Sequence, residues 1–199
     1  AGAGINLERY KMQPYPKHTR IHFLYLGRIM KEKGIDELFY AVRHLKKENE
    51  NFVLDLVGFF EDEYKEQVKE LEKHSIAHFY GFQSDPRPFY IEADCVVLPS
   101  YHEGMSNVLL EAAATGRPVV TSNIPGCRES VENGKSGLLV EVKNKEMLYD
   151  AMKEMLHCSR EEREQMGQAG REKMEREFRK EVVVEKTVQS LRGDEKRDF

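Results

Sequence analysis

The sequence predicts an α/β fold: a mostly parallel sheet of six strands in the order 3-2-1-4-5-6, with helices on both faces. Three observations predict it. Short apolar runs recur from Ile21 to Val140, most closed by a turn residue such as Gly27, Gly58, Gly81 or Pro99. Segments with apolar residues at helical spacing lie between them, the alternation of a sheet with crossover helices. The central stretch, Asp94 to Gly126, holds one such unit in full: strand, loop, helix and strand.

Residues 1 to 20 show no periodicity, and Pro14 and Pro16 mark an extended lead-in. Ile21 to Leu26 is the first strand. The turn GRIMKEKG follows, then a helix from Ile35 to about Lys47 with Leu38, Ala41, Val42 and Leu45 on one face. Phe52 to Val57 is the second strand, and a charged helix from Glu61 to His74 carries a narrow stripe of Val68 and Leu71. The third strand is His78 to Tyr80. Asp85-Pro86 reads as an N-cap and first helical residue, with the helix running to Ala93.

In the central unit, Cys95 to Leu98 is a buried strand and Ser100 to Gly104 a loop. The helix that follows carries Val108, Leu109, Leu110 and Ala112 to Ala114, and Val119-Val120 is the next strand. The turn signals Asn133-Gly134 and Ser136-Gly137 lead into a short strand, Leu138 to Val140. Beyond Asn144 the chain is helical. Met147, Leu148, Ala151, Met152, Met155 and Leu156 form a stripe that reads as core rather than as a methionine-rich binding surface. Two more helices, Arg160 to Phe178 and Lys180 to Leu191, precede a tail expected to fray.

The 199 residues suffice for one domain with a proper core. A formal net charge of −4 leaves no basic surplus to neutralise phosphates, which argues against nucleic acid as partner. No apolar run approaches the ~20 residues of a membrane span. Cys95, Cys127 and Cys158 lack metal-ligand spacing, and Cys95 falls in a strand, as expected of a reduced, cytoplasmic core thiol.

The central unit places its loop and helix N-terminus at the carboxyl edge of the sheet, where ligands of open α/β sheets collect. Amides around Gly104 to Asn107 would favour an anionic group there. Glu103 precedes the helix and Glu111 lies two turns inside it. A rise of about 12 Å between them lets the two carboxylates grip different parts of one long ligand. Gly27 permits close backbone approach at the end of the first strand, and Arg28 and Lys33 project from the turn. Arginine suits bidentate phosphate contact and lysine supplies a compact charge. Read in isolation, with Lys31 and Glu32 between them, the same residues read first as a solvated charged turn; only the wider motif set turns the reading to phosphate.

Glu103 and Glu111, with seven residues between them, sit in LPSYHEGMSNVLLEAAATGRPVV. This resembles the E-x7-E signature of the retaining GT-B glycosyltransferases, specifically the family 4 group. Arg28, Lys33 and Gly34 also match that family's G-R and K-G positions, and GINLERYK resembles its interdomain hinge. The resemblance implies a Rossmann-like, donor-binding second domain over 21–191. Residues 1–20 would then be a linker from a missing N-terminal acceptor domain, and 192–199 a frayed tail. It implies that Arg28 and Lys33 hold a nucleotide diphosphate and stabilise the departing phosphate. Glu111 would accept hydrogen bonds from the ribose hydroxyls, and Glu103 would contact the donor sugar near the reacting carbon. Gly27, Gly58 and the backbone of Gly104, Met105, Ser106 and Asn107 complete the donor set. Phe82 and Gln83 would line the nucleobase pocket, although a loop phenylalanine is as often core.

PGCRE, with Pro125-Gly126 and Glu129, resembles the variant of bacterial enzymes that build surface polysaccharides, lipopolysaccharide and lipid-linked oligosaccharides. His102 is either a base or a solvent-edge loop histidine. No Asp-x-Asp signature occurs, so neither metal nor cofactor is expected, and a UDP-sugar is the best guess at the donor. The implied partners are the nucleotide sugar and the missing domain. Membrane contact would arise only through that domain or a lipid-linked acceptor, at the inner face of the plasma membrane. The chain by itself is expected to bind nucleotide weakly and transfer no sugar. A second reading is the equivalent half of a sugar-nucleotide epimerase, which shares the two-domain plan. A dinucleotide-binding domain is disfavoured, because GRIMKEKG replaces G-x-G-x-x-G.

Overall fold

The six apolar runs form the six strands of one sheet: β1 (Ile21–Leu26), β2 (Phe52–Val57), β3 (Ala77–Phe79), β4 (Cys95–Leu98), β5 (Val119–Ser122) and β6 (Gly137–Val140). In this computed structural model, which describes residues 4–48 and 50–185, their order is β3-β2-β1-β4-β5-β6 and every pairing is parallel. The β1–β2 register is unbroken from Ile21 opposite Phe52 to Leu26 opposite Val57. All six residues of β2 are buried, which is why it reads as a continuous apolar run broken only by Asp55.

The helices are α1 (Ile35–Lys47), α2 (Lys65–Lys73), α3 (Arg87–Glu92), α4 (Asn107–Thr115), α5 (Lys145–His157) and α6 (Arg160–Lys173). The chain winds one way from β1 to β3 and the other way from β4 to β6. Right-handed crossovers therefore place α1 and α2 on one face and α3 and α4 on the other. Helix α5 returns to pack on α1, and α6 packs on α4. Both closing helices carry the caps their sequences announce. Asn144 accepts from the Met147 amide at 2.9 Å, and Ser159 and Glu162 form a reciprocal capping box.

Several boundaries differ from the sequence-based expectation. Helix α2 starts at Lys65, not Glu61, because the Glu61 and Asp62 amides donate to the Ile29 carbonyl at 3.2 and 3.3 Å. That stretch lies against the β1–α1 turn instead of coiling. Strand β3 begins one residue early, at Ala77, and β5 runs on to Ser122. Pro86 occupies the cap position of α3, while Asp85 accepts from the Arg87 amide at 3.2 Å. Met147 faces outward from α5 while Leu148, Ala151, Met152 and Met155 are buried. Past α6 the expected helix widens into a π turn, Met174–Phe178. Residues 180–185 are helical; the rest of the expected last helix and the tail lie outside the described residues.

The lead-in packs on the α3–α4–α6 face, gripped by arginines. Arg160 donates to the Tyr15 and Pro16 carbonyls at 2.8 and 3.0 Å, and Arg171 to the Tyr10 carbonyl at 2.9 Å. Tyr15 is buried, with its hydroxyl on the Asp94 carbonyl. The three cysteines are free thiols. Burial pushes the Cys127 thiol up to about 11 and Cys95 higher still, so both are inert core groups. Among the described residues no helix is long and apolar enough to cross a membrane.

Candidate active site

The loops after β1 and β4 meet at the carboxyl edge of the sheet. The Tyr101 amide donates to the Glu32 carbonyl at 2.8 Å and stitches the two loops together. The buried Tyr25 hydroxyl holds the Arg28 carbonyl from beneath. This stitching brings together Lys33 and Glu103, which lie 70 positions apart in the chain. The Lys33 ammonium sits 2.6 Å from Glu103 Oε1, and the Ser100 hydroxyl donates to the same oxygen at 2.8 Å. Both side chains are mostly buried, 17% and 15% exposed, so solvent screens this pair far less than a surface one.

Arg28 stands in the same turn but engages a different carboxylate. Its Nη1 lies 3.0 and 2.7 Å from the two oxygens of Glu61, and both side chains are about half exposed. Each predicted cation is therefore paired with an acid, and an incoming anion must compete for it. Glu61 and Ser100 were not singled out from the sequence. The Ser100–Glu103 spacing was a weak local signal, and the Arg28–Glu61 contact depends on the β2–α2 segment staying bent against Ile29 and outside the helix.

The amides expected around Gly104 to Asn107 are partly used. The Ser106 amide donates to the Gly126 carbonyl at 3.0 Å, which removes it from the anion-binding set. The amides of Asn107, Val108 and Leu109 occupy the first turn of α4, where no intrahelical acceptor exists. Ser106 supplies no side-chain cap. Gly104 is exposed and Met105 partly buried against the core.

Gly126 fixes this corner. It is left-handed, with φ of 87°, and a Cβ there would come 1.4 Å from the Gly104 carbonyl oxygen. Its own amide donates to Glu129 at 2.7 Å. Gly126→Ala is expected to lower stability by about 2 kcal/mol, combining left-handed strain of about 1–2 kcal/mol with displacement of the Gly104 loop. Gly134→Ala is the control, since Gly134 is left-handed too but has open space around it. Equal calorimetric losses for the two would remove the close approach as a cause.

Glu111 lies in the second turn of α4 and faces α3. The buried Tyr90 hydroxyl donates to its Oε2 at 2.9 Å, and Tyr10 of the lead-in, whose ring meets that of Tyr90, acts on the same carboxyl. Burial pushes the Glu111 carboxyl up, and the two tyrosines oppose that rise. Neither tyrosine was among the sequence-derived candidates.

Phe82 is 70% exposed, so the core alternative fails for it. It meets Phe59, also exposed, edge to face with ring centroids 6.4 Å apart. The Gln83 side-chain Nε2 donates to the Tyr80 carbonyl at 2.8 Å, and the Gly58 backbone amide to the Gly81 carbonyl at 2.9 Å. Gly27 closes β1 by donating to the Val57 carbonyl at 3.0 Å. An exposed aromatic pair thus flanks the strand ends on the β2–β3 side. His102 is exposed at the rim and bonds none of these site groups. The carboxyl edge therefore offers a partly buried lysine–carboxylate pair, a second cation, a helix N-terminus, a tyrosine-bound carboxylate and an aromatic ledge.

Comparison with known proteins places the chain in a family. The family model described as glycosyl transferases group 1 matches residues 8–173. The chain is 28% identical over 193 residues to the capsular polysaccharide biosynthesis glycosyltransferase CapM of Staphylococcus aureus. That match covers 92% of this chain and 50% of CapM. Among solved structures it superposes on sucrose-phosphate synthase of Thermosynechococcus elongatus with a TM-score of 0.80 and 26% identity, over 96% of this chain and 51% of that one. It superposes on Anabaena HepE, solved with UDP and glucose, with a TM-score of 0.78 and 20% identity, over 94% and 55% of the two chains. The chain spans about half the length of the curated relatives it matches.

Proposed function

Because the chain belongs to the group 1 glycosyl transferases, whose Rossmann-like fold it shares, we propose that it is the donor half of a retaining hexosyltransferase. Its donor would be a nucleotide-diphosphate sugar, with a UDP-sugar the first candidate, and its products bacterial polysaccharide, lipopolysaccharide or lipid-linked oligosaccharide. The observation that carries the reading is the Lys33–Glu103 contact, which sets a cation and a carboxylate beside the first-turn amides of α4. Sugar transfer develops negative charge on the leaving diphosphate, and Lys33, Arg28 and those amides are the donors able to receive it. Glu103 would then contact the sugar and Glu111 the ribose, with Phe59 and Phe82 lining the base. This set needs no metal. The polysaccharide role of CapM and the UDP bound to HepE support the assignment. Acceptor positioning and half of the water exclusion would come from a first domain across a cleft, so this chain alone would bind donor without transferring it. The reaction would take place in the cytoplasm.

A thermal-shift screen against UDP, GDP, ADP and their sugars tests the proposal. A ligand at ~100 times its dissociation constant should stabilise the fold by about 2.7 kcal/mol. Stabilisation by nucleosides equal to that by their diphosphates, or by no nucleotide at millimolar concentration, would overturn it.

A further inference from the structure

Tyr90 is fully buried beneath α3, and its ring meets the Tyr10 ring edge to face, with centroids 6.2 Å apart at 76°. Its backbone is pinned as well, since its carbonyl accepts from Arg117 Nε at 2.8 Å. The hydroxyl that reaches Glu111 is therefore carried by a side chain with little freedom. Tyr10 approaches from the lead-in, where its carbonyl is held by Arg171. A carboxylate offers about four acceptor positions. The Tyr90 hydroxyl occupies one of them, on Oε2, which leaves acceptor positions for a vicinal diol.

We propose that Tyr90 and Tyr10 are positioning residues that hold and aim the Glu111 carboxylate for the 2′- and 3′-hydroxyls of a ribose. This rests on the donor-site reading above and adds to it the part that fixes Glu111. Burial alone favours the protonated acid, which would present a donor where the diol needs acceptors; the two tyrosines favour the carboxylate. The charged and titratable groups facing Glu111 are Tyr90 from α3 and Tyr10 and Arg9 from the lead-in, with Asp85 acting on Tyr10. Because Tyr90 comes from α3 and the Tyr10 ring that meets it comes from the lead-in, the grip on the ribose would depend on the segment before β1 as well as on the sheet edge.

The test has two arms on the 199-residue chain and its Tyr90→Phe and Tyr10→Phe variants, which keep both rings. In the first, the Glu111 side-chain carboxyl is titrated by carbon-13 NMR without ligand. Its midpoint should rise in both variants, since each loses a hydroxyl that favours the charged form. An unmoved midpoint overturns the proposal, and this arm is decisive even if no nucleotide binds, an outcome that would count against the donor reading instead. In the second, UDP, GDP and ADP are titrated beside their 2′,3′-dideoxy analogues. Each variant should weaken the binding ribonucleotide about five- to tenfold and leave its dideoxy analogue unchanged. Below the raised midpoint the variants should lose ribonucleotide binding at a pH where the parent still binds. Equal weakening of ribo and dideoxy ligands would mean general structural damage and would also overturn it. Should Tyr90→Phe fail to fold, Tyr10→Phe carries both arms.

Discussion

Arg117→Met is expected to lower the stability of the fold by about 3–5 kcal/mol, a large share of the 5–15 kcal/mol typical of a domain. Arg117 is fully buried, and every hydrogen bond its guanidinium makes among the described residues goes to a backbone carbonyl. Nε donates to the Tyr90 carbonyl at 2.8 Å, and Nη2 to those of Pro14 and Ile91, both at 2.9 Å. Nη1 reaches the Gly116 and Gln13 carbonyls at 3.2 and 3.4 Å. These oxygens belong to the lead-in, to α3 and to the end of α4, so one side chain ties three segments to the α4–β5 turn. Its face also lies over the buried Tyr15 ring, 5.3 Å from the centroid. Methionine preserves much of the volume but leaves the carbonyls without a donor, and unsatisfied buried groups cost about 1–3 kcal/mol each. In a chain of this size the melting temperature should fall by about 6–20 °C. Proteolysis between residues 11 and 18 should accelerate in parallel. Arg117→Lys, which keeps the charge but loses the planar fork, should fall between parent and Arg117→Met. A melting temperature for Arg117→Met within 2 °C of the parent would show that the network contributes nothing.

Arg117 also shows where sequence reading stops. An arginine between Gly116 and Pro118 looks like any charged turn residue, and its burial follows only from the lead-in folding back over it. The same holds for Tyr90, an apolar position by composition whose hydroxyl matters only once α3 lies beside α4. Elements whose signal is burial itself were legible with their bounds: β1, α1, β2 and β4 are continuous apolar runs or clean stripes. The start of α2 was not, because Glu61 and Asp62 suit a helix, and their hydrogen bonds to Ile29 prevail over that local preference. In the site, Lys33, Glu103, Arg28 and Glu111 could be nominated from spacing and resemblance. Which acid pairs with which cation could not. That pairing is set by the β1 and β4 loops meeting across the sheet edge, and by a bent, non-helical β2–α2 segment that presents Glu61.

Those pairings sharpen what substitution at the site should do. Lys33→Ala is expected to weaken UDP binding by about 1.5–3 kcal/mol, roughly 10- to 150-fold in Kd, and uridine binding hardly at all. Its ammonium is mostly buried, so a phosphate that takes the place of Glu103 meets a poorly screened charge. Arg28→Ala should lose less, since its guanidinium is half exposed and must leave Glu61 to reach the ligand. Glu103→Gln should not weaken UDP, because it removes the anion that competes for Lys33. If a first domain completes the site as proposed, the same change should still slow transfer there, by removing the carboxylate proposed to contact the sugar. If Glu111 holds the ribose as proposed, Glu111→Gln should weaken UDP and UDP-glucose by similar factors, because both share it. Calorimetric titration of the four variants with uridine, UDP and UDP-glucose separates these outcomes. Equal losses for uridine and UDP in Lys33→Ala would reduce the lysine to a structural partner of Glu103. A UDP affinity lowered by Glu103→Gln would mean that the carboxylate organises the site rather than competing within it, and the phosphate would have to be sought nearer Arg28.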